Sequence, residues 1–113
     1  MALADQKLVI VITDGDDADA VIRGLVERGY PATKVSSTGG FLRRGSATIL
    51  SGVDAGDVDL VLAIVRTQCQ ARTELVPAQA LPFPESIYPA APVEVRVGGA
   101  IVFVLPVERF EKT

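Results

Sequence analysis

The groups in this chain that could do chemistry are carboxylates, arginines, hydroxyls and glycine backbone, because histidine is absent and Cys69 is the only cysteine. Without histidine there is no imidazole base, no Ser-His-Asp triad and no His-ligated metal. One cysteine makes neither an intrachain disulfide nor a Cys-rich zinc site. Three acids stand close together at Asp14, Asp16 and Asp17. A calcium loop needs a distal bidentate Glu as well, which this spacing lacks, so capping and solvation are the expected roles. The remaining cluster is Thr38-Gly39-Gly40-Phe41-Leu42-Arg43-Arg44-Gly45. Bare glycine backbone can bring amides up to a phosphate or a base edge, or it can simply turn the chain. Phe41 and Leu42 sit in mid-connection, where burial is not guaranteed, and Arg43-Arg44 is the only adjacent basic pair. No nucleophile–base pair and no recognisably spaced pair of carboxylates points to catalysis.

These groups hang on a simple pattern of elements. Residues 7–13 (KLVIVIT) form a continuous β-branched run, as in a strand buried on both faces or in mid-sheet. Val21, Ile22, Leu25 and Val26 then recur at helical spacing, with Gly29 suited to a left-handed stop. Strands are predicted over 30–38 and 47–53. A second helix is predicted over 57–70, with Val58, Val61, Leu62, Val65 and Cys69 on one face and Asp54 or Asp57 as its cap. Cys69 on that face reads as packing. Residues 77–92 hold five of the seven prolines, which disfavours regular structure. Residues 93–97 alternate strictly, Gly98-Gly99 turns, and 100–105 returns as a strand, which predicts a C-terminal hairpin.

The expected fold is therefore α+β, with order β-α-β-β-α-β and a last element that is a hairpin. The simplest packing of that order is the split-βαβ, ferredoxin-like sandwich with both helices on one face of one sheet. Its other face would be largely Val, Ile and Ala, and an exposed apolar sheet face usually means association. The 113 residues fit one domain, 1–113 with a core over 6–110, and 49% of them are apolar. A net charge of −3 and a pI near 4.8 argue against a nucleic-acid polymer as partner. No apolar run nears the ~20 residues of a membrane helix. Residues 1–6 lack the basic start of a signal peptide, so the expected compartment is the cytoplasm.

Two segments carry a resemblance to a known family. They are Ala32-Thr33-Lys34-Val35 followed by Thr38-Gly39-Gly40-Phe41-Leu42-Arg43, and Pro92-Val93-Glu94-Val95 followed by Val97-Gly98-Gly99-Ala100 and Val102-Phe103-Val104-Leu105-Pro106-Val107. In that order they resemble the cyclic-di-AMP receptors of the PII-like family, over residues 7–110. The resemblance implies a ferredoxin-like homotrimer with its sheets facing inward. Cyclic di-AMP, or another adenine nucleotide, would bind between neighbouring subunits. Mobile loops, here about 36–48 and 77–92, would pass the signal to a downstream protein that the sequence does not name. It implies no enzymatic activity and no cofactor. Thr33 matches a hydrogen-bonding Thr, and Gly39 and Gly40 match backbone contacts. Phe41 and Leu42 match the lining of an adenine pocket, where stacking is worth ~1–3 kcal/mol per base. Arg43 matches a residue that counters a phosphate or holds the loop. Gly52 matches a position where backbone meets the base, its other reading being a β-bulge. Phe103 matches a contact to the second adenine, its other reading being core.

The sequence departs from the family at two places. Characterised members carry an Arg two residues before the Thr, where this chain has Pro31, and an Asn three residues after Arg43, where it has Ser46. An amide can pair two ways with an adenine edge and a hydroxyl one way, a difference of ~1–3 kcal/mol. A lost charged hydrogen bond adds ~1.5–3 kcal/mol. Uncompensated, the two changes would weaken binding by roughly two to four orders of magnitude.

Overall fold

A computed structural model of the chain describes residues 5–36, 46–76 and 92–113. Their elements, in chain order, are β1 (Gln6–Asp14), α1 (Gly15–Glu27), β2 (Thr33–Ser36), β3 (Ser46–Asp54), α2 (Val58–Gln68), β4 (Arg72–Val76), β5 (Val93–Val97) and β6 (Ala100–Pro106). A short 3-10 turn, Ala55–Asp57, leads into α2. Strands β2, β3, β1 and β6 make a four-stranded sheet in that order, antiparallel throughout. Strands β4 and β5 make a separate antiparallel ribbon.

The two helices cover one face of the large sheet. Val9 and Val11 of β1 and Ala47, Ile49 and Val53 of β3 are buried beneath Ala18, Val21 and Leu25 of α1, Val61 and Val65 of α2, and Cys69 just after it. Burying each Val or Leu side chain is worth about 1.5–3 kcal/mol, and this cluster is the hydrophobic core of the body. β1 lies in mid-sheet, as its uninterrupted apolar run anticipates, while Val26, counted into the apolar stripe of α1, is exposed.

Gly29 ends α1 as its type anticipates. At φ 82° it lets the amides of Gly29 and Tyr30 reach back to the carbonyls of Val26 and Leu25, at 2.9 Å each. Tyr30 is spent on this stop and Pro31 has no N–H to give a ladder. The second strand consequently starts at Thr33, not at residue 30.

The expected helix caps do not form. Asp14, Asp54 and Asp57 stand at the cap positions, yet none makes a side-chain cap hydrogen bond. Asp14 instead accepts the amide of Gly98, at 2.9 Å, and Asp54 accepts the Gln6 amide group.

The predicted C-terminal hairpin is also replaced. β5 pairs with β4, a strand the sequence reading left without an element, and β6 pairs with β1. Gly98 and Gly99, at φ 80° and 79°, do not close a turn between β5 and β6. Their polar groups are used on the end of β1: the Asp14 carboxylate takes the Gly98 amide, and the Thr13 hydroxyl donates to the Gly99 carbonyl at 2.7 Å. The glycines thus carry the chain from the ribbon onto the main sheet.

Candidate functional site

Among the predicted site residues, Thr33, Ser46, Gly52 and Phe103 fall within the described residues. Gly39, Gly40, Phe41, Leu42 and Arg43 lie outside them, as do most of the segments 36–48 and 77–92 named as loops. Register and side-chain alternation place the described four. Residues directly opposite each other in a ladder point to the same face, and alternate residues point to opposite faces.

The face away from the helices carries three apolar rows. Thr33 is opposite Leu50, Leu50 opposite Ile10, and Ile10 opposite Phe103. One row on, Val35, Thr48, Ile12 and Ile101 line up in the same way. On the other side, Gly52, Leu8 and Leu105 make the third. Ser46 lies opposite Asp14 at the end of the same face. All four described site residues therefore share one face, and Phe103 is half exposed on it, not in the core. Thr33 and Phe103 stand on opposite edge strands, three strand spacings or ~14 Å apart. One base cannot touch both within a single copy.

Gly52 is informative for what it lacks. The β1–β3 register runs unbroken through Lys7↔Val53, Leu8↔Gly52 and Val9↔Ser51, so there is no bulge. Its φ is not positive, and a Cβ built there meets nothing within 4 Å among the described residues. Glycine in a strand interior is normally a cost, of roughly 0.5–1 kcal/mol against Ala. Nothing among the described residues asks for that cost.

The open face is apolar with a polar fringe of Thr33, Thr48 and Ser46, and among the described residues it holds no cation. The neighbouring Lys34 points the other way and pairs with Asp19 of α1 at 2.9 Å. Pro31 continues the Thr33–Val35 alternation and is exposed.

Two features of the surroundings escaped the sequence reading. Ser51, on the helix side of β3, is 1% exposed, and its hydroxyl donates to the Pro31 carbonyl at 2.7 Å. A serine in an otherwise apolar row (Ala47, Ile49, Val53) was its only signal. At the root of the ribbon, Arg72 spreads its two terminal nitrogens over both oxygens of the buried Asp17, at 3.4 Å each, and also donates to the Gln70 carbonyl at 3.1 Å. Asp17, read as a cap or a solvated acid, is an ion-pair partner instead. Burial raises the Cys69 thiol above its ordinary value, which keeps it protonated and fits a packing role. Among the described residues no group of three or more acids and cysteines is placed to hold a metal, and no helix is long and apolar enough to cross a membrane.

Residues 6–113 match the family model of the cyclic-di-AMP receptor. The chain belongs to that family. The cyclic-di-AMP receptor family is one of receptors, not enzymes, and membership supports a nucleotide-binding signalling role. A functionally unknown protein from Pediococcus pentosaceus is similar to this receptor-family chain at 36% identity, over 99% of this chain and 100% of its own, with a TM-score of 0.75. A DUF3240 family protein from Shewanella baltica is 14% identical, over 98% and 99% of the two chains, with a TM-score of 0.57. The second likeness concerns the fold alone: a small α+β domain with an antiparallel sheet and two helices.

Proposed function

We propose that the protein is a cyclic-di-AMP sensor that works as a homotrimer in the cytoplasm, with the dinucleotide held on the open sheet face where copies meet. The observation that carries this reading is that Thr33, Gly52 and Phe103 share one apolar face, with the Gly52 backbone open to approach. An adenine is a flat, largely apolar group whose edge carries hydrogen-bond sites. It fits a surface that offers Phe103 for stacking, Thr33 for an edge contact and bare backbone at Gly52 for close approach. Thr33 and Phe103 sit at opposite edges, so contributions from two copies would complete one site. Arg43, with Gly39, Gly40, Phe41 and Leu42, would close it over the phosphates. A downstream protein would read the loops.

A second reading keeps the trimer and changes the ligand, to ATP, ADP or another adenine nucleotide, or leaves it a ligand-free interaction module. Pro31 and Ser46 favour it, since both occupy the open face where the family carries side chains with more to donate. Calorimetric titration with cyclic di-AMP, ATP and cyclic di-GMP separates the readings. Heat from cyclic di-AMP alone supports the first; saturation by ATP, or by none of the three, overturns it. The double variant Pro31→Arg with Ser46→Asn should tighten cyclic di-AMP, by ~1–3 kcal/mol for the Asn alone.

A further inference from the structure

We infer that Ser51 is a positioning residue for the ligand face: from inside the core, it holds the strand entry that presents Thr33. This rests on the cyclic-di-AMP reading above. The β2–β3 ladder ends at Thr33↔Leu50, so the two residues before Thr33 have no ladder partner. The Pro31 carbonyl would be left without a backbone donor at this point. Ser51 supplies one from the side, its hydroxyl 2.7 Å from that oxygen. A buried hydroxyl costs free energy when unpaired, and this bond satisfies that of Ser51 while giving the Pro31 carbonyl a donor.

The geometry links this bond to the ligand face. Ser51 is flanked by Leu50, the partner of Thr33, and by Gly52, whose outer side is vacant. Ala32, between Pro31 and Thr33, packs against the core from the same side as Ser51. The tie through the Pro31 carbonyl therefore fixes a three-residue step in which Pro31 and Thr33 face outward and Ala32 inward. Thr33 is the first residue of an edge strand, and the end of an edge strand by itself resists fraying weakly. With the tie removed, residues 31–33 are free to lift from β3, and Thr33 loses its fixed place opposite Leu50. Ser51 touches no ligand in this scheme and acts only through Thr33.

A double-mutant cycle on the full chain tests this, with cyclic di-AMP as the titrant and thermal unfolding measured alongside. Ser51→Ala should weaken binding about fivefold, the worth of one ordinary hydrogen bond. Thr33→Val should weaken it by a similar factor or more. In the Thr33→Val background, Ser51→Ala should cost nothing further in binding, although it still lowers the melting temperature. Ser51→Thr, which keeps the donor, should retain most of the affinity. If the two losses in binding simply multiply, Ser51 acts on the whole fold and the inference is overturned while the ligand reading stands. A wild-type chain that binds no cyclic di-AMP would sink the ligand reading and the inference with it.

Discussion

Under the proposed function, Gly52 separates what the fold needs from what a ligand needs. A methyl group there meets nothing in the described chain, and Ala is the better strand residue. Gly52→Ala should leave stability unchanged or raise it by about 0.5–1 kcal/mol in a thermal unfolding measurement, while abolishing binding by calorimetry. Intact binding would show that the space is incidental. Phe103 tells a similar story with a different sign, because it lies half exposed on the edge strand and contributes little to the core. Which face these residues occupy was not legible from residue types. For Thr33 the face depends on where β2 begins, and that depends on Gly29 and Tyr30 closing the helix and on Pro31 lacking an N–H. Ser51 was harder still, since its partner is a backbone oxygen that no residue letter displays.

The ribbon of β4 and β5 shows what local pattern can and cannot reveal about elements. Strict alternation in residues 93–97 and the glycine pair marked β5, the connection and β6 correctly, yet the inferred pairing was wrong. A hairpin is the local solution to two strands joined by two glycines. Here the side chains of Thr13 and Asp14 capture the backbone of the connection, and β4, five residues of mixed charge and apolar character, provides a partner instead. The ion pair of Arg72 with Asp17 adds a further tie to α1. Gly98 is the keystone, since a Cβ there would come within 2.3 Å of the Gln70 carbonyl oxygen, at a positive φ. Gly98→Ala should cost about 1–3 kcal/mol from backbone strain, and amide exchange should accelerate in 72–76 and 93–97 more than in α1 and β3. Equal acceleration everywhere would mean that the ribbon and body unfold as one.

At the scale of the whole molecule, the sequence showed the layer architecture well. Two amphipathic helices and apolar strands leave few packings, and the β2-β3-β1-β6 order with both helices on one face agrees with the ferredoxin-like expectation. What it left open is what covers the other face. Ile101 is exposed beside Ile12, and in an isolated chain Ile101→Asp should alter stability by no more than ~0.5 kcal/mol. If copies associate through this face, the same change buries an unpaired charge in each contact and should dissociate them. Light scattering should report about three times the 11.9 kDa chain mass for the unmodified protein and a single chain mass for the variant. A stable wild-type monomer at micromolar concentration would remove the trimer from the proposal.

The pairing of β1 with β6 also bears on the order of events expected in folding. Lys7 meets Pro106 and Thr13 meets Ala100, contacts that close a loop of nearly the whole chain. β1, α1 and β3 can meet over a much shorter loop and share most of the buried cluster. Chain entropy favours the shorter loop first. The outer edge of β1, with Leu8, Ile10 and Ile12 beside it, then stays unpaired until β6 arrives, and an open apolar edge of that kind recruits other chains. Conservative truncations in β6, such as Val102→Ala, should therefore speed unfolding and leave the folding rate almost unchanged, whereas Val11→Ala or Leu25→Ala should slow folding. Refolding yield should fall steeply with concentration, because the last strand to dock is the one that shields β1 from its neighbours.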